Sequence, residues 1–177
     1  ASDVYKRQPP KLDTRPHSRD NPTEMPNLEH KIPPVVVWLV VAGLMWLGSW
    51  AVPALGFSLP YRQGLTLGFA FAGVLVAVLG VVSFRRAGTT VNPLKPDAAS
   101  SLVVSGIYRL TRNPMYLGLL LVLLGLAFYL SNVVAYLLLP SFALYLNRFQ
   151  IIPEEKVLTS LFGAEFTIYQ ATVRRWL

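Results

Sequence analysis

The chain has 177 residues, of which 53% are hydrophobic and only 14% charged, and its mean hydropathy is +0.45. Soluble domains carry nearer a quarter charged residues, so a shortage concentrated in long uncharged blocks points to a membrane protein. Cysteine is absent and the two histidines, His17 and His30, lie in a polar leader, which excludes disulfides, a thiolate nucleophile, Cys-ligated zinc and iron–sulfur clusters and leads us to expect no metal. The net charge of +7 does not imply nucleic acid, because the basic residues fall at helix ends and in the leader rather than on one face.

Residues 1–31 are polar and proline-rich (Pro9, Pro10, Pro16, Pro22, Pro26). Such a segment cannot bury enough apolar area to offset its ordering entropy, so it reads as a disordered leader. It has no apolar run before a small-residue cleavage site, unlike a signal peptide. Residues 1–8 resemble translated adaptor sequence, which makes Met25 the candidate natural start. Peptides from upstream of Met25 in the native protein would overturn that expectation.

Residues 32–177 form the expected membrane domain. A hydrocarbon core about 30 Å thick takes roughly 20 apolar helical residues to cross. The first span, about 35–56, opens behind Pro33-Pro34, which suit a first helical turn, and Pro53 ends or kinks it. The second, about 64–84, is an uninterrupted apolar run ending at Arg85-Arg86. Glycines at 64, 68, 73 and 80 suit close helix approach, while the oligomeric state stays open. Residues 85–113 are basic and broken by Gly88, Asn92-Pro93, Pro96 and Gly106. Two shorter apolar runs follow, 115–130 and 133–149, joined so tightly at Ser131-Asn132 that they must fold as an antiparallel hairpin. Pro140 should kink the second. Beyond it, apolar residues at 157/158, 161/162, 166, 169 and 173 have the spacing of one amphipathic helix, expected to lie on the cytoplasmic headgroups. The fold class is therefore all-α integral membrane, with four transmembrane helices. Loop basicity puts residues 85–113 and 150–177 on the cytoplasmic side, N-in and C-in.

The residues with chemical potential collect in segments 98–118 and 150–177. Each has a plain structural reading: Asn113-Pro114 as a helix start, Arg109 and Arg112 as positive-inside charges, Glu154-Glu155 as partners of a helix dipole. Together they suggest more. Two adjacent carboxylates at the mouth of a membrane hairpin are costly unless paired or hydrated. An Arg-x-x-Arg segment suits an anionic group and the carboxylates suit hydroxyls or an ammonium, so a zwitterionic polar cofactor would fit.

Ser105-Gly106-Ile107-Tyr108, then Arg112-Asn113-Pro114-Met115-Tyr116-Leu117-Gly118, then Glu154-Glu155-x-x-Leu158-x-x-x-Phe162-Gly163 with Tyr169 resemble the isoprenylcysteine carboxyl methyltransferase family and its phospholipid methyltransferase relatives. The resemblance covers about residues 90–177. It implies transfer of a methyl group from S-adenosylmethionine to a membrane-embedded or lipophilic acceptor, in a pocket facing the cytoplasm of a bacterial inner membrane. Carried over by position, Ser100, Ser101, Leu102, Val103 and Tyr108 would line the cofactor. Arg112 and the Asn113-Pro114-Met115-Tyr116 turn would hold it, and Glu154, with Glu155, would complete the pocket. Asn113 stands where eukaryotic members carry histidine. Gln150 stands where they place an arginine near the acceptor carboxylate, so Arg148 and Gln150 mark the acceptor side. No dedicated catalytic base is legible. The acceptor stays open among a phospholipid amine, a prenyl or other carboxylate, and a small thiol. The competing readings are an NADPH-dependent membrane lipid or sterol reductase, whose C-terminal half has a similar layout, and a non-catalytic membrane adaptor.

Overall fold

The computed structural model describes residues 32–87 and 102–177. The leader and its candidate start at Met25 lie outside these residues, as do Ser100 and Ser101. Among the described residues the fold is all-helical, with no strand and one isolated bridge between Gly56 and Asn132.

Helix α1 runs Pro34–Ala51 with proline in its first turn, where a missing N–H costs nothing. It stops short of Gly56 because Pro53 cannot continue the ladder, and a single 3-10 turn, Pro53–Leu55, follows. Helix α2, Arg62–Arg86, ends with two arginines in its last turn, where cations complement the helix dipole. Helix α3, Pro114–Leu130, and helix α4, Val133–Leu146, form the hairpin read from the sequence. Asn132 makes the reversal specific. Its side chain accepts from Val134 N–H at 2.9 Å, capping α4, and donates to Val52 O at 2.9 Å, tying the turn to the end of α1.

The helix directions alternate. Trp38 Nε1 donates to Leu119 O at 3.0 Å and Trp46 stacks on Tyr129, so α1 and α3 run parallel. Gly48 lies against Val134 and Gln150 Nε2 donates to Ile32 O at 2.9 Å, so α4 runs against α1. Met45, Leu123, Ala127, Ala135, Phe142 and Leu146 are fully buried between α1, α3 and α4 and form the core.

Helix α2 joins this core chiefly through α3, and glycine sets the approach. A Cβ at Gly73 would lie 2.6 Å from Gly118 O, one at Gly118 would lie 2.5 Å from Gly73 O, and one at Gly125 would lie 2.9 Å from Thr66 O. The pairings 66 with 125, 73 with 118 and 80 with 114 show that α2 and α3 are antiparallel. Backbones this close are the membrane form of tight helix packing. Outward, α1 and α2 present Leu39, Leu47, Trp50, Leu67, Phe71 and Val78, all exposed. So large an apolar surface belongs against lipid, and these two helices are long and apolar enough to cross a bilayer. Helix α3 is a shorter apolar helix.

The region after α4 departs from the expected layout. Pro153 has no N–H to offer Phe149 O, and its ring crowds that carbonyl. The chain widens into a π turn, Asn147–Ile151, in which Ile152 N–H donates to Asn147 O, and continues directly as α5, Ile152–Phe162. The helical run Val133–Phe162 is about 45 Å long at 1.5 Å per residue, longer than a hydrocarbon core of about 30 Å. The α4 helix stays continuous through Pro140. The single amphipathic helix expected beyond residue 150 is two helices. Gly163, at φ +51° and ψ −121°, takes a conformation open only to glycine, and α6, Ala164–Thr172, leaves from it.

Candidate active site

One end of the bundle gathers the start of α1, the end of α2, the start of α3, the π turn, α5 and α6. Just before α3, residues 102–113 form an extended stretch and a 3-10 turn, Gly106–Arg109. Gly106 takes φ +63° to make that turn. Tyr108 is buried there, its ring edge-on to Phe84 of α2 at 5.3 Å, and its carbonyl accepts from the Tyr169 hydroxyl of α6 at 2.7 Å. Burial pushes both phenols up, Tyr169 to about 12 despite the opposing pull of Arg112, and Tyr108 beyond the ordinary range, with Tyr169 and Glu154 adding to it.

Two carboxylates on the first turn of α5 face different fates. Glu155 is fully engaged: Oε1 accepts from Arg112 Nη2 at 2.9 Å and from Arg175 Nε at 3.1 Å, and Oε2 accepts from Arg175 Nη2 at 2.6 Å. Glu154 has no cation among the described residues, and its hydrogen-bond partner is the Tyr116 hydroxyl, which donates to Oε1. Burial, reinforced by the charge of Glu155, pushes the Glu154 carboxyl up to about 8, although the Tyr116 bond pulls the other way.

The segment 173–176 binds the two halves together. Arg112 N–H donates to Arg174 O at 3.0 Å, and the Arg175 carbonyl accepts from Asn113 Nδ2 at 3.0 Å and Thr111 Oγ1 at 3.3 Å. Trp176 Nε1 donates to Asn147 Oδ1 on the π turn at 3.2 Å. Asn113 occupies the cap position of α3, but its side chain makes no capping bond and serves this segment instead. Arg112 gives Nη1 to Gln170 O at 3.2 Å, while its buried Nε has no acceptor among the described residues.

The sequence-derived candidates therefore separate. Tyr108, Arg112, Asn113, Tyr116, Glu154 and Glu155 converge on this end. Leu102 is half-buried and Val103 is buried on the extended stretch leading to it. Pro114 and Met115 pack against Gly80 of α2, the side of α3 that faces α2. On the acceptor side, Arg148 is exposed with its guanidinium 5.4 Å from the centre of the Phe149 ring, and Gln150 is buried, fastening the π turn to Ile32. Arg175, Thr111 and Gln170 were not legible as site residues. Their partners lie up to 64 residues away, and Arg174-Arg175-Trp176 reads locally as an ordinary basic helix flank.

The cluster of Arg112 and Arg175 against Glu155 holds two guanidiniums for one carboxylate, next to a carboxyl with no counter-cation among the described residues. A buried donor without an acceptor and a carboxyl without a cation are what a zwitterionic ligand would satisfy. The residues thus fit S-adenosylmethionine, which carries a carboxylate, an ammonium and a sulfonium.

Comparison with known proteins agrees. The family model described as phospholipid methyltransferase matches residues 61–165. An uncharacterized protein of Haemophilus influenzae is 49% identical over 63 residues, which are 36% of this chain and the whole of that protein. No solved structure matches the chain.

Proposed function

Since this chain belongs to the phospholipid methyltransferase family, which matches it over more than half its length, we propose that it transfers a methyl group from S-adenosylmethionine to a lipid acceptor at the cytoplasmic face of a bacterial inner membrane. The observation that carries this reading is Glu154, a half-buried carboxyl held by the neutral Tyr116 hydroxyl beside an excess of guanidinium. When bound, the cofactor supplies an already activated methyl group. The residues of this chain bind and orient it. Ionised Glu154 offers the nearest uncompensated negative charge to the ammonium and sulfonium, and Arg112 Nε offers a donor to the carboxylate. Leu102, Val103 and Tyr108 form an apolar flank that excludes water, which strengthens each of these contacts. Ser100 and Ser101 belong to the same segment.

An in-line displacement then needs only an acceptor lone pair held at the right distance. A lipid amine arrives as ammonium and must lose a proton first. The long apolar faces of α1 and α2 and the alternating helix directions support four crossings, with the acceptor entering sideways from the bilayer. Family membership lends nothing to an NADPH-dependent reductase or a non-catalytic adaptor.

The test is calorimetric titration of S-adenosylmethionine into detergent-purified protein, with NADPH in parallel, followed by labelled-methyl transfer to vesicles containing phosphatidylethanolamine. Saturable binding that weakens at least about tenfold in Glu154→Ala, the scale of one charge-assisted contact, is the expected outcome. Binding of NADPH alone would transfer the site to a reductase. Binding of neither by folded protein would leave a non-catalytic role.

A further inference from the structure

The residue tying both halves of this site together lies outside all the motifs that point to the family. Arg175 acts with two groups at once. Its carbonyl holds Thr111 and Asn113 at the start of α3, and its guanidinium grips Glu155 at the start of α5 through both Nε and Nη2. Through Glu155 it also fixes Arg112, whose second Nη is held by Gln170 O and whose backbone N–H is held by Arg174 O. Among the described residues, Arg112 is left with its buried Nε as a donor without an acceptor.

Building on the methyl-transfer reading above, we infer that Arg175 is a positioning residue, and that Arg175 and Glu155 form a clamp that aims Arg112 Nε at the carboxylate of the methyl donor and leaves Glu154 as the ligand-facing carboxylate. Two consequences follow from the chemistry. Glu155 is withdrawn from ligand binding, because both its oxygens already accept charge-assisted bonds. Segment 173–176 becomes a strap, anchored at Asn147 by Trp176, that must keep its register for the α3 and α5 sides of the site to stay together. Lysine cannot replace arginine here without loss, since the two-point grip on Glu155 requires the planar fork.

The experiment compares wild type, Arg175→Lys and Arg175→Ala by S-adenosylmethionine calorimetry in detergent, with amide hydrogen exchange of the ligand-free proteins. Removing one charge-assisted fork is expected to weaken binding about tenfold in Arg175→Ala and less in Arg175→Lys. In the ligand-free proteins, exchange at residues 111–113 should accelerate in the same order, while the α1–α3–α4 core keeps its protection. In turnover assays the loss should fall on KM for the methyl donor, with kcat changed less than about threefold, as expected when ground-state and transition-state binding fall together. Unchanged binding in Arg175→Ala, with wild type binding normally, overturns the clamp while leaving the methyltransferase reading intact. So does loss of protection throughout the core, which would make Arg175 a general stability element. A wild type that binds no S-adenosylmethionine overturns both.

Discussion

At the scale of single residues, the adjacent pair Glu154-Glu155 divides into two roles that the sequence cannot separate. Both sit in the first turn of α5, where the run continuous with α4 leaves no free helix N-terminus to favour either. Which of them meets arginine depends on a segment about twenty residues away. The groups facing Glu154 are Tyr116 from α3, Tyr108 from the 3-10 turn and Glu155 from its own helix, with the charges of Arg112 and Arg175 spent on Glu155. With its carboxyl pushed up to about 8, Glu154 is protonated at neutral pH in the free protein. Binding a cationic ligand must expel that proton. Affinity for S-adenosylmethionine is therefore expected to rise by up to about tenfold per pH unit from pH 6 to pH 8 and then level off. Calorimetry in buffers of different ionisation enthalpy would show one proton released per ligand below that range, and Glu154→Gln should bind weakly with no such slope. The same shift carries a stability sign. Between the ordinary 4.5 and about 8 the folded protein holds a proton that the unfolded chain has released, so stability falls as pH rises through that window. Glu154→Gln should flatten that fall in thermal melts recorded from pH 5 to pH 8. Tyr116→Phe should remove the bond that lowers the Glu154 range, moving the binding midpoint upward in pH.

At the scale of elements, helices α1, α2 and α3 were legible because uninterrupted apolar blocks bounded by Pro33-Pro34, Pro53, Arg85-Arg86 and Pro114 leave little choice of where they begin and end. The hairpin was legible from its two-residue joint. What the sequence could not give was the union of α4 with α5. Proline usually stops a helix, yet at Pro153 a π turn absorbs the missing donor and the helix runs on. The split at Gly163 was hidden for the opposite reason, since the apolar spacing continues smoothly across it while the backbone does not. The glycines of α2 were read only as permitting close approach. The structure shows which of them are used: Gly73 and Gly80 face α3, while Gly64 and Gly68 have open space at their Cβ positions. Gly73→Ala must therefore push against the backbone of α3, at a cost of about 1–3 kcal/mol typical of overpacking. Gly68→Ala should be neutral or slightly stabilising. Denaturation midpoints in detergent for the two variants, measured side by side, check this directly, and equal effects would show that α2 and α3 are not in backbone contact.

At the scale of the whole molecule, composition announced a membrane protein before any element was placed, and the two long apolar helices with their exposed faces agree. The number of crossings is a separate matter, because α3 is shorter than a full span and the continuous α4–α5 run is longer than one, so length alone does not decide them. Direction helps. With α1 and α3 parallel and α2 and α4 opposed to them, the residues 52–61 and 131–132 meet at one end, joined by Phe57 N–H donating to Ser131 O at 2.9 Å. The site, with Arg85, Arg86, Arg112 and Arg175, lies at the other. The first end carries Arg62 alone, so the charge imbalance points the site toward the cytoplasm if all four helices cross. The absence of cysteine makes the arrangement open to a clean measurement, because a single engineered thiol is labelled without background. Ser58 and Ser160 are both exposed and lie toward opposite ends of the bundle. In intact cells, Ser58→Cys should react with a membrane-impermeant maleimide, and Ser160→Cys should react only after the membrane is opened. The reverse pattern would turn the protein over and place the site outside. Labelling of both from one side would reduce the number of crossings and detach the site from the alternation on which its cytoplasmic placement depends.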